Sequence, residues 1–257
     1  MARMILEHAG YPSSRYLNDP ELEPETQTVV QINEIVTEIH TGKPIQYILG
    51  YTHFFDLKIK VNNNVLIPRP ETEEMVYNIK SAFPDSTAPV MDLCTGSGCI
   101  ALALKSLYPE ASVSGIEFSR SALETARENG RENGLEVNWL EADLLEAHHL
   151  QFETSFSLVV SNPPYVLNRE RQLMADNVLH FEPESALFVE NHDPLIYYRA
   201  IASFCRNHLE TGGFVWVEIN ENLGKETAAI FEHPIFTEVT IVKDIHGKER
   251  FIKARKQ

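Results

Sequence analysis

From residue 88 onward, short apolar runs alternate with stretches of helical periodicity, and this alternation restricts the fold more than any other feature. Strands that alternate with helices are typical of parallel sheets with helical crossover connections. The pattern predicts strands over residues 88–93, 112–117, 137–141, 156–161, 213–219, 236–243 and 250–254. It predicts helices near residues 98–107, 119–133, 195–207 and 223–231. The sequence therefore predicts an α/β fold, in which ligands bind at the carboxyl ends of the strands.

The first 84 residues have a different pattern, which predicts a small helical domain and a linker. Apolar residues recur at helical spacing through residues 25–40. Residues 51–61 and 65–67 predict a hairpin whose turn is Asn62–Asn64, and a helix follows over residues 71–83. We expect a helical domain over residues 1–50, a hairpin and linker helix over 51–84, and an α/β domain over 85–257.

Composition excludes several classes of protein. The formal net charge of −15 opposes binding to a phosphate backbone, because nonspecific nucleic-acid affinity depends on lysine and arginine. No apolar run approaches the roughly 18 residues that a membrane span requires. The histidines lack metal-binding spacing, and the odd set of cysteines lacks CxxC spacing: Cys94, Cys99 and Cys205. We therefore expect a cytoplasmic protein that binds no metal, no membrane and no nucleic acid directly. A monomer is a separate expectation that composition does not supply.

A glycine-containing loop over residues 92–98 follows the first predicted strand of the α/β domain and leads into a helix. Glycines at this place let the backbone approach a cofactor closely, and the free amides of the helix can receive its polar groups. With Ala101 the loop also matches G-x-G-x-x-A, so a nicotinamide or flavin site is an alternative, as is a purely structural turn. Glu117 lies at the end of the next strand. A carboxylate there can accept hydrogen bonds from two ribose hydroxyls, both in dinucleotide sites and in sites for adenosyl cofactors.

Asp143, after the third strand, allows two interpretations. Its carboxylate can meet the amino group of an adenine, or it can cap the turn that begins at Leu144. Because the carboxyl ends of parallel strands meet at one edge of a sheet, several polar or glycine positions converge there, which favours a ligand site: Asp92, Gly96, Gly98, Glu117 and Asp143.

The segment Asn162–Pro163–Pro164–Tyr165 follows the fourth strand and carries the most specific chemical signal. An amide nitrogen is a poor nucleophile, so an enzyme that alkylates it must aim acceptors at its N–H groups. The Asn162 side-chain oxygen and the Pro163 carbonyl can do this, two prolines stiffen the loop, and Tyr165 offers a flat face. The pattern favours methyl transfer to a planar nitrogen, although two prolines can also simply end a strand.

The sequence resembles the HemK family over nearly its whole length. Members of this family use S-adenosylmethionine to methylate the glutamine amide in the Gly-Gly-Gln motif of peptide-chain release factors. The resemblance rests on Gly42–Gly50, Leu66–Glu73, Asn162–Tyr165, Phe181–Pro183 with Ala186–Leu187, and Gly212–Gly213 with Glu218–Ile219. It implies a seven-stranded Rossmann-like sheet of order 3-2-1-4-5-7-6 with the last strand antiparallel, and class I release factors as protein substrates.

The resemblance also implies a set of site residues. The cofactor S-adenosylmethionine, whose product is S-adenosylhomocysteine, would contact Cys94, Thr95, Gly96, Ser97, Gly98, Glu117, Asp143, Leu144 and Asn162. The substrate glutamine would lie against Asn162, Pro163, Pro164 and Tyr165, with Asn162, Pro163 and Tyr165 as catalytic residues. Cys94 stands where the family usually has glycine. The alternative function is methylation of an amino group on a nucleic-acid base by the same loop, with Tyr165 stacked on an extruded base.

Overall fold

The computed structural model of the protein describes residues 1–11, 18, 24–83, 87–232 and 234–257. Its strands are β1 (Tyr51–Phe54), β2 (Leu57–Lys60), β3 (Val90–Leu93), β4 (Val113–Glu117), β5 (Asn138–Glu141), β6 (Phe156–Ser161), β7 (Val166–Leu167), β8 (Phe188–Val189), β9 (Leu209–Glu218), β10 (Phe236–Lys243) and β11 (Glu249–Lys256). Its α-helices are α1 (Ala2–His8), α2 (Thr26–His40), α3 (Ile45–Leu49), α4 (Pro70–Ala82), α5 (Cys99–Leu107), α6 (Arg120–Glu132), α7 (Asp176–Phe181), α8 (Ile196–His208) and α9 (Gly224–Phe231). Short 3-10 helices cover Leu144–His149, Asn168–Leu173 and Glu184–Ala186. Within these described ranges, no helix is both long enough and apolar enough to cross a lipid bilayer.

The described residues form one main sheet of seven strands, in the order β10-β11-β9-β6-β3-β4-β5. The five strands β9, β6, β3, β4 and β5 run parallel to one another, whereas β11 is antiparallel to both β9 and β10. Numbered in chain order within the sheet, this is the order 3-2-1-4-5-7-6 that the resemblance implies. The predicted α/β fold is therefore confirmed, and each of the seven predicted strands lies on a strand of this sheet.

The central strands are apolar because both faces of the sheet are covered. All residues of β3 and β6 are buried, which is typical of parallel strands between two layers of helices. Successive residues point to opposite faces, so Val90 packs with α4 and α5 while Met91 packs with α8 and α9. The resulting two-sided core fixes the strand ends and the loops that leave them.

The hairpin differs from its prediction. Its strands are β1 and β2, so the turn lies at Phe55 and Asp56 rather than at Asn62–Asn64, and residues 65–67 do not form its second strand. Both turn residues have positive φ, 51° and 64°, a conformation usually left to glycine or asparagine. Tertiary contacts hold the turn. The Phe55 ring packs on Tyr77, and the backbone amide of Phe55 donates to Glu73 Oε1 at 2.8 Å. The predicted turn was wrong because these contacts come from α4, outside the local sequence.

The N-terminal helices have a small core of their own. Ile5, Ile35, Ile45 and Leu49 pack together there, and α2 confirms the helix predicted over residues 25–40. The hairpin instead contributes Phe54 and Ile59 to the core beneath the main sheet. The predicted division between residues 84 and 85 lies outside the described residues, and the three-part division of the chain stays a prediction.

Candidate active site

A cavity of about 290 Å³ opens at the carboxyl ends of β3, β4 and β6. The parallel register brings these ends level, because Leu93 is paired with Ile116 on one side and with Ser161 on the other. Most of the predicted site residues line the cavity, namely Cys94, Thr95, Gly96, Ser97, Glu117, Asp143, Leu144, Asn162 and Pro164. Gly98, Pro163 and Tyr165 do not line it.

Asp92 shapes the loop between β3 and α5 from beneath. Its side chain is fully buried, and Oδ2 accepts hydrogen bonds from the Thr95 hydroxyl and from the Ala101 amide. Among the described residues Oδ1 has no hydrogen-bond partner. Burial raises the pKa of Asp92 to about 7, since the charged form is poorly solvated there. Asp92 therefore connects the end of β3 to the first turn of α5, and the loop residues after it, not Asp92, line the cavity.

Two glycines of this loop have different surroundings. Gly96 has a φ of 55°, and no atom lies within 4 Å of the position that a Cβ would occupy. At Gly98, with a φ of 81°, a Cβ would lie 2.8 Å from Cη2 of Trp139 and 3.1 Å from Cβ of Ala126. Gly96 thus leaves space beside the cavity, whereas Gly98 allows α5 to pack closely against β5 and α6.

Cys94 adopts the backbone conformation that its position requires. Its φ is 60°, in the left-handed region that favours glycine. Its side chain reaches the cavity wall, and burial raises the pKa of the thiol well above its usual value, as do the nearby carboxylates of Glu117 and Asp92. The thiol therefore stays protonated and is a poor nucleophile.

Glu117 is held rigidly at the end of β4. Its Oε2 accepts from the Gly96 amide at 2.8 Å and its Oε1 accepts from the Ser119 amide at 2.9 Å. Burial raises the pKa of Glu117, while these amides lower it. Phe118 follows; this residue is 67% exposed and lines the cavity. A carboxylate oxygen has more than one acceptor site, so Glu117 can still bind hydroxyl groups in the cavity.

Asp143 combines the two interpretations that the sequence left open. It caps the 3-10 helix that starts at Leu144, since Oδ1 accepts from the Leu145 amide at 2.9 Å. It also lines the cavity, together with the buried Leu144. The capping role is observed, and contact with a cofactor amino group stays a prediction.

The Asn162 side chain lies at the cavity and is tied down on one side. Its Nδ2 donates to Oγ1 of Thr72 at 3.0 Å, in the first turn of α4. Tyr165 turns inward instead, and its hydroxyl donates to Oε1 of Glu218 at 2.8 Å. The predicted stacking role of Tyr165 and the predicted acceptor role of Pro163 stay predictions.

The sequence motifs assigned no role to several other residues of the cavity wall. Pro68, Arg69 and Thr72 line it, together with Ser185, Ala186 and Phe188. Arg69 Nη2 pairs with the buried Glu182 Oε1 at 2.7 Å, and Glu182 Oε2 also accepts from the Ile67 amide at 3.2 Å. The sequence signal that could have pointed to these residues is the family resemblance over Leu66–Glu73 and Phe181–Pro183. The ion pair between Arg69 and Glu182 brings these two segments together.

Known proteins share both the sequence and the fold. A family model described as the methyltransferase small domain matches residues 72–197. A release factor glutamine methyltransferase of Flavobacterium psychrophilum is 42% identical over 238 residues, which are 91% of this chain and 83% of that protein. The chain belongs to the release factor glutamine methyltransferase family. A further member, from Bacteroides thetaiotaomicron, is 40% identical over 226 residues, 88% of this chain and 81% of that protein.

Membership in the release factor glutamine methyltransferase family confirms the resemblance read from the motifs. It favours the methyltransferase interpretation of the glycine loop over a nicotinamide or flavin site, and it does not favour a nucleic-acid base as the target. A crystal structure of a methyltransferase from Pyrococcus furiosus has the same fold, with a TM-score of 0.58 at 17% identity over 79% of this chain and 90% of that one.

Proposed function

We propose that this protein transfers the methyl group of S-adenosylmethionine to the side-chain amide nitrogen of the glutamine in the Gly-Gly-Gln motif of class I release factors. The observation that carries the proposal is the place of Asn162. Its amide lies at a cavity whose other walls are the glycine loop and Glu117. Family membership supports the same substrate, because the similar proteins are named release factor glutamine methyltransferases.

The residues at the glycine loop suit S-adenosylmethionine. The open space beside Gly96 admits a ligand close to the backbone, and Glu117 offers acceptors for two ribose hydroxyls. Glu117 and Asp143 give this side of the cavity an acidic character that suits a positively charged sulfonium. When bound, S-adenosylmethionine supplies a methyl group that its sulfonium already activates.

The residues at Asn162 suit a planar amide. Oδ1 of Asn162 can accept a hydrogen bond from one N–H of the substrate glutamine, and the Pro163 carbonyl is proposed as the acceptor for the other. Neither group competes for the lone pair of the nitrogen, because both are acceptors. Positioning then supplies most of the rate acceleration, since the reacting atoms must be held about 3–3.5 Å apart and in line.

The remaining parts of the proposal concern the partner. The helical domain over residues 1–50 would dock the release factor, and Leu66–Glu73 with the loop after β6 would hold the glutamine-bearing segment. The enzyme would act as a cytoplasmic monomer without direct contact to nucleic acid.

Transfer of labelled methyl tests reaction and substrate together. The protein is incubated with labelled S-adenosylmethionine and an unmodified release factor, the same factor with its Gly-Gly-Gln glutamine replaced, or mixed RNA and DNA. Label on the intact factor alone is the expected result. Label on nucleic acid would show that the release factor is not the substrate, although the protein would still be a methyltransferase. No transfer to any acceptor would overturn the proposed reaction.

The role of Asn162 has its own test. Asn162→Ala should lower kcat far more than it weakens binding of S-adenosylmethionine, because an interaction made in the transition state acts on the chemical step. The two quantities are measured by methyl transfer and by calorimetry. An equal loss in both would show that Asn162 contributes mainly to cofactor binding.

A further inference from the structure

A chain of hydrogen bonds extends from Asn162 into the protein interior. Asn162 Nδ2 donates to Thr72 Oγ1 at 3.0 Å, and the Thr72 hydroxyl donates to Glu218 Oε2 at 2.7 Å. The other carboxylate oxygen of Glu218 accepts from the Tyr165 hydroxyl at 2.8 Å. Thr72 is 2% exposed and Glu218 is 1% exposed, so water does not compete for these bonds. Three elements thereby meet at one buried carboxylate: α4, β9 and the loop after β6.

The chemistry of the members gives this chain a direction. Burial raises the pKa of Glu218, whereas the hydrogen bonds from Thr72 and Tyr165 and the charge of Arg250 lower it and so favour the ionised carboxylate. An ionised carboxylate only accepts hydrogen bonds, so the Thr72 hydroxyl donates its single proton to Glu218. The Thr72 oxygen can then only accept from Asn162, which requires the NH₂ group of the Asn162 amide on that side. A side-chain amide has its oxygen opposite its nitrogen, and Oδ1 of Asn162 is therefore turned away from Thr72.

We infer that Glu218 and Thr72 are positioning residues that fix which end of the Asn162 amide faces the substrate. The inference rests on the proposed function, in which Oδ1 of Asn162 accepts from the glutamine N–H. With the amide reversed, its NH₂ group would meet the NH₂ group of the substrate, and two donors cannot bond to each other. Tyr165 supports the same arrangement through Glu218 and needs no contact with substrate to do so.

Thr72 variants test the inference in the full-length protein with an unmodified release factor as methyl acceptor. Thr72→Val keeps the shape and removes the hydroxyl, and it should lower kcat by about 10- to 100-fold through misplacement of Asn162. Thr72→Ser restores a hydroxyl and should restore most of the rate. The dissociation constant of S-adenosylmethionine, measured by calorimetry, should change by less than about 2-fold in both variants, because ground-state cofactor binding is not altered.

A second comparison separates positioning from direct contact, since Thr72 also lies at the cavity. If Thr72 acts only through Asn162, Thr72→Val should have no further effect on kcat in an Asn162→Ala background. Thr227→Val is the matched control: Thr227 is fully buried in α9, and its hydroxyl has no hydrogen-bond partner among the described residues. This control should leave kcat unchanged and should not lower the melting temperature.

The Thr72 variants can support or overturn the positioning role. Should Thr72→Val not fold, Thr72→Ala removes the same hydroxyl and replaces it in every comparison. An unchanged kcat in the hydroxyl-free variant, an equal loss in Thr72→Ser, or the same loss with and without Asn162 would each overturn the positioning role. Absence of transfer by the unaltered protein would instead overturn the proposed function, so the two failures are distinguishable.

Discussion

The two glycines of the β3–α5 loop are expected to respond differently to the same substitution. Gly98→Ala places a methyl group 2.8 Å from the Trp139 ring and keeps a φ of 81° that alanine disfavours. The left-handed conformation costs about 1–2 kcal/mol, and overpacking adds about 1–3 kcal/mol. Alanine also lowers the conformational entropy of the unfolded chain, which stabilises the folded state by about 0.4–1 kcal/mol and offsets part of this cost. We therefore expect Gly98→Ala to lower the free energy of unfolding by about 1–5 kcal/mol.

Gly96→Ala is the matched comparison. A Cβ at Gly96 would have no atom within 4 Å apart from its chain neighbours, so only the left-handed backbone and the unfolded chain contribute, and the loss of stability should stay at about 0–1.6 kcal/mol. The same methyl group would occupy the space proposed for S-adenosylmethionine. We therefore expect its affinity for the cofactor to fall by about 10-fold or more, the equivalent of about 1.4 kcal/mol.

Urea denaturation gives the two stabilities, and calorimetry gives the two dissociation constants. The reasoning would be refuted by a Gly98→Ala protein that is as stable as the unaltered one but binds S-adenosylmethionine poorly. That result would place Gly98 in direct contact with the cofactor. A Gly96→Ala protein with full affinity would show that the open space beside Gly96 is not used by the ligand.

Further predictions concern the walls of the cavity and the buried acid beneath it. Glu117→Ala should weaken binding of S-adenosylmethionine while release-factor binding stays nearly intact, and an unchanged affinity by calorimetry would remove Glu117 from the cofactor site. Arg69→Leu should destabilise the protein by about 1–3 kcal/mol, because it leaves the buried Glu182 carboxylate without its ion pair, and adding Glu182→Leu should recover part of that loss. Asp92 faces Thr95, the Ala101 amide and Glu117, and its pKa is raised to about 7 in the folded protein. At this group the folded state therefore holds more protons than the unfolded state between about pH 4 and 7, so Asp92 makes the free energy of unfolding fall as pH rises through that range. Asp92→Asn should make the decline shallower, and the part that remains comes from Glu117 and Glu218, whose pKa values burial also raises. Parallel pH profiles for the two proteins would contradict it.

The sheet could be predicted from sequence because its signal is local. Apolar runs such as those of β3 and β6 must be buried on both faces, and the helices between them repeat at their own period. The loops at the strand ends follow from this placement, so Glu117 and Asn162 could be assigned to one edge of the sheet. The strand order came from the resemblance, since periodicity does not determine which strands are neighbours.

The contacts of Arg69 and Thr72 at the cavity could not be predicted in the same way, because they join distant parts of the chain. Thr72 and Glu218 are 146 residues apart, and Arg69 and Glu182 are 113 residues apart. Neither pair has a spacing that a sequence pattern could reveal. The hairpin turn shows the same limit: Phe55 is an unfavourable residue for positive φ, and only its contacts with α4 explain why the chain turns there.

These distant contacts all involve α4 or the residues that lead into it. Glu73 holds the hairpin turn, Arg69 holds the loop around Glu182, and Thr72 joins Asn162 to Glu218. The first turn of α4 and the residue before it therefore connect the hairpin, the loop around Glu182 and the loop after β6. If Thr72 fixes the Asn162 amide as inferred, the segment before α4 is part of the methyl-transfer site, although the sheet alone would place every reacting group at the ends of its strands.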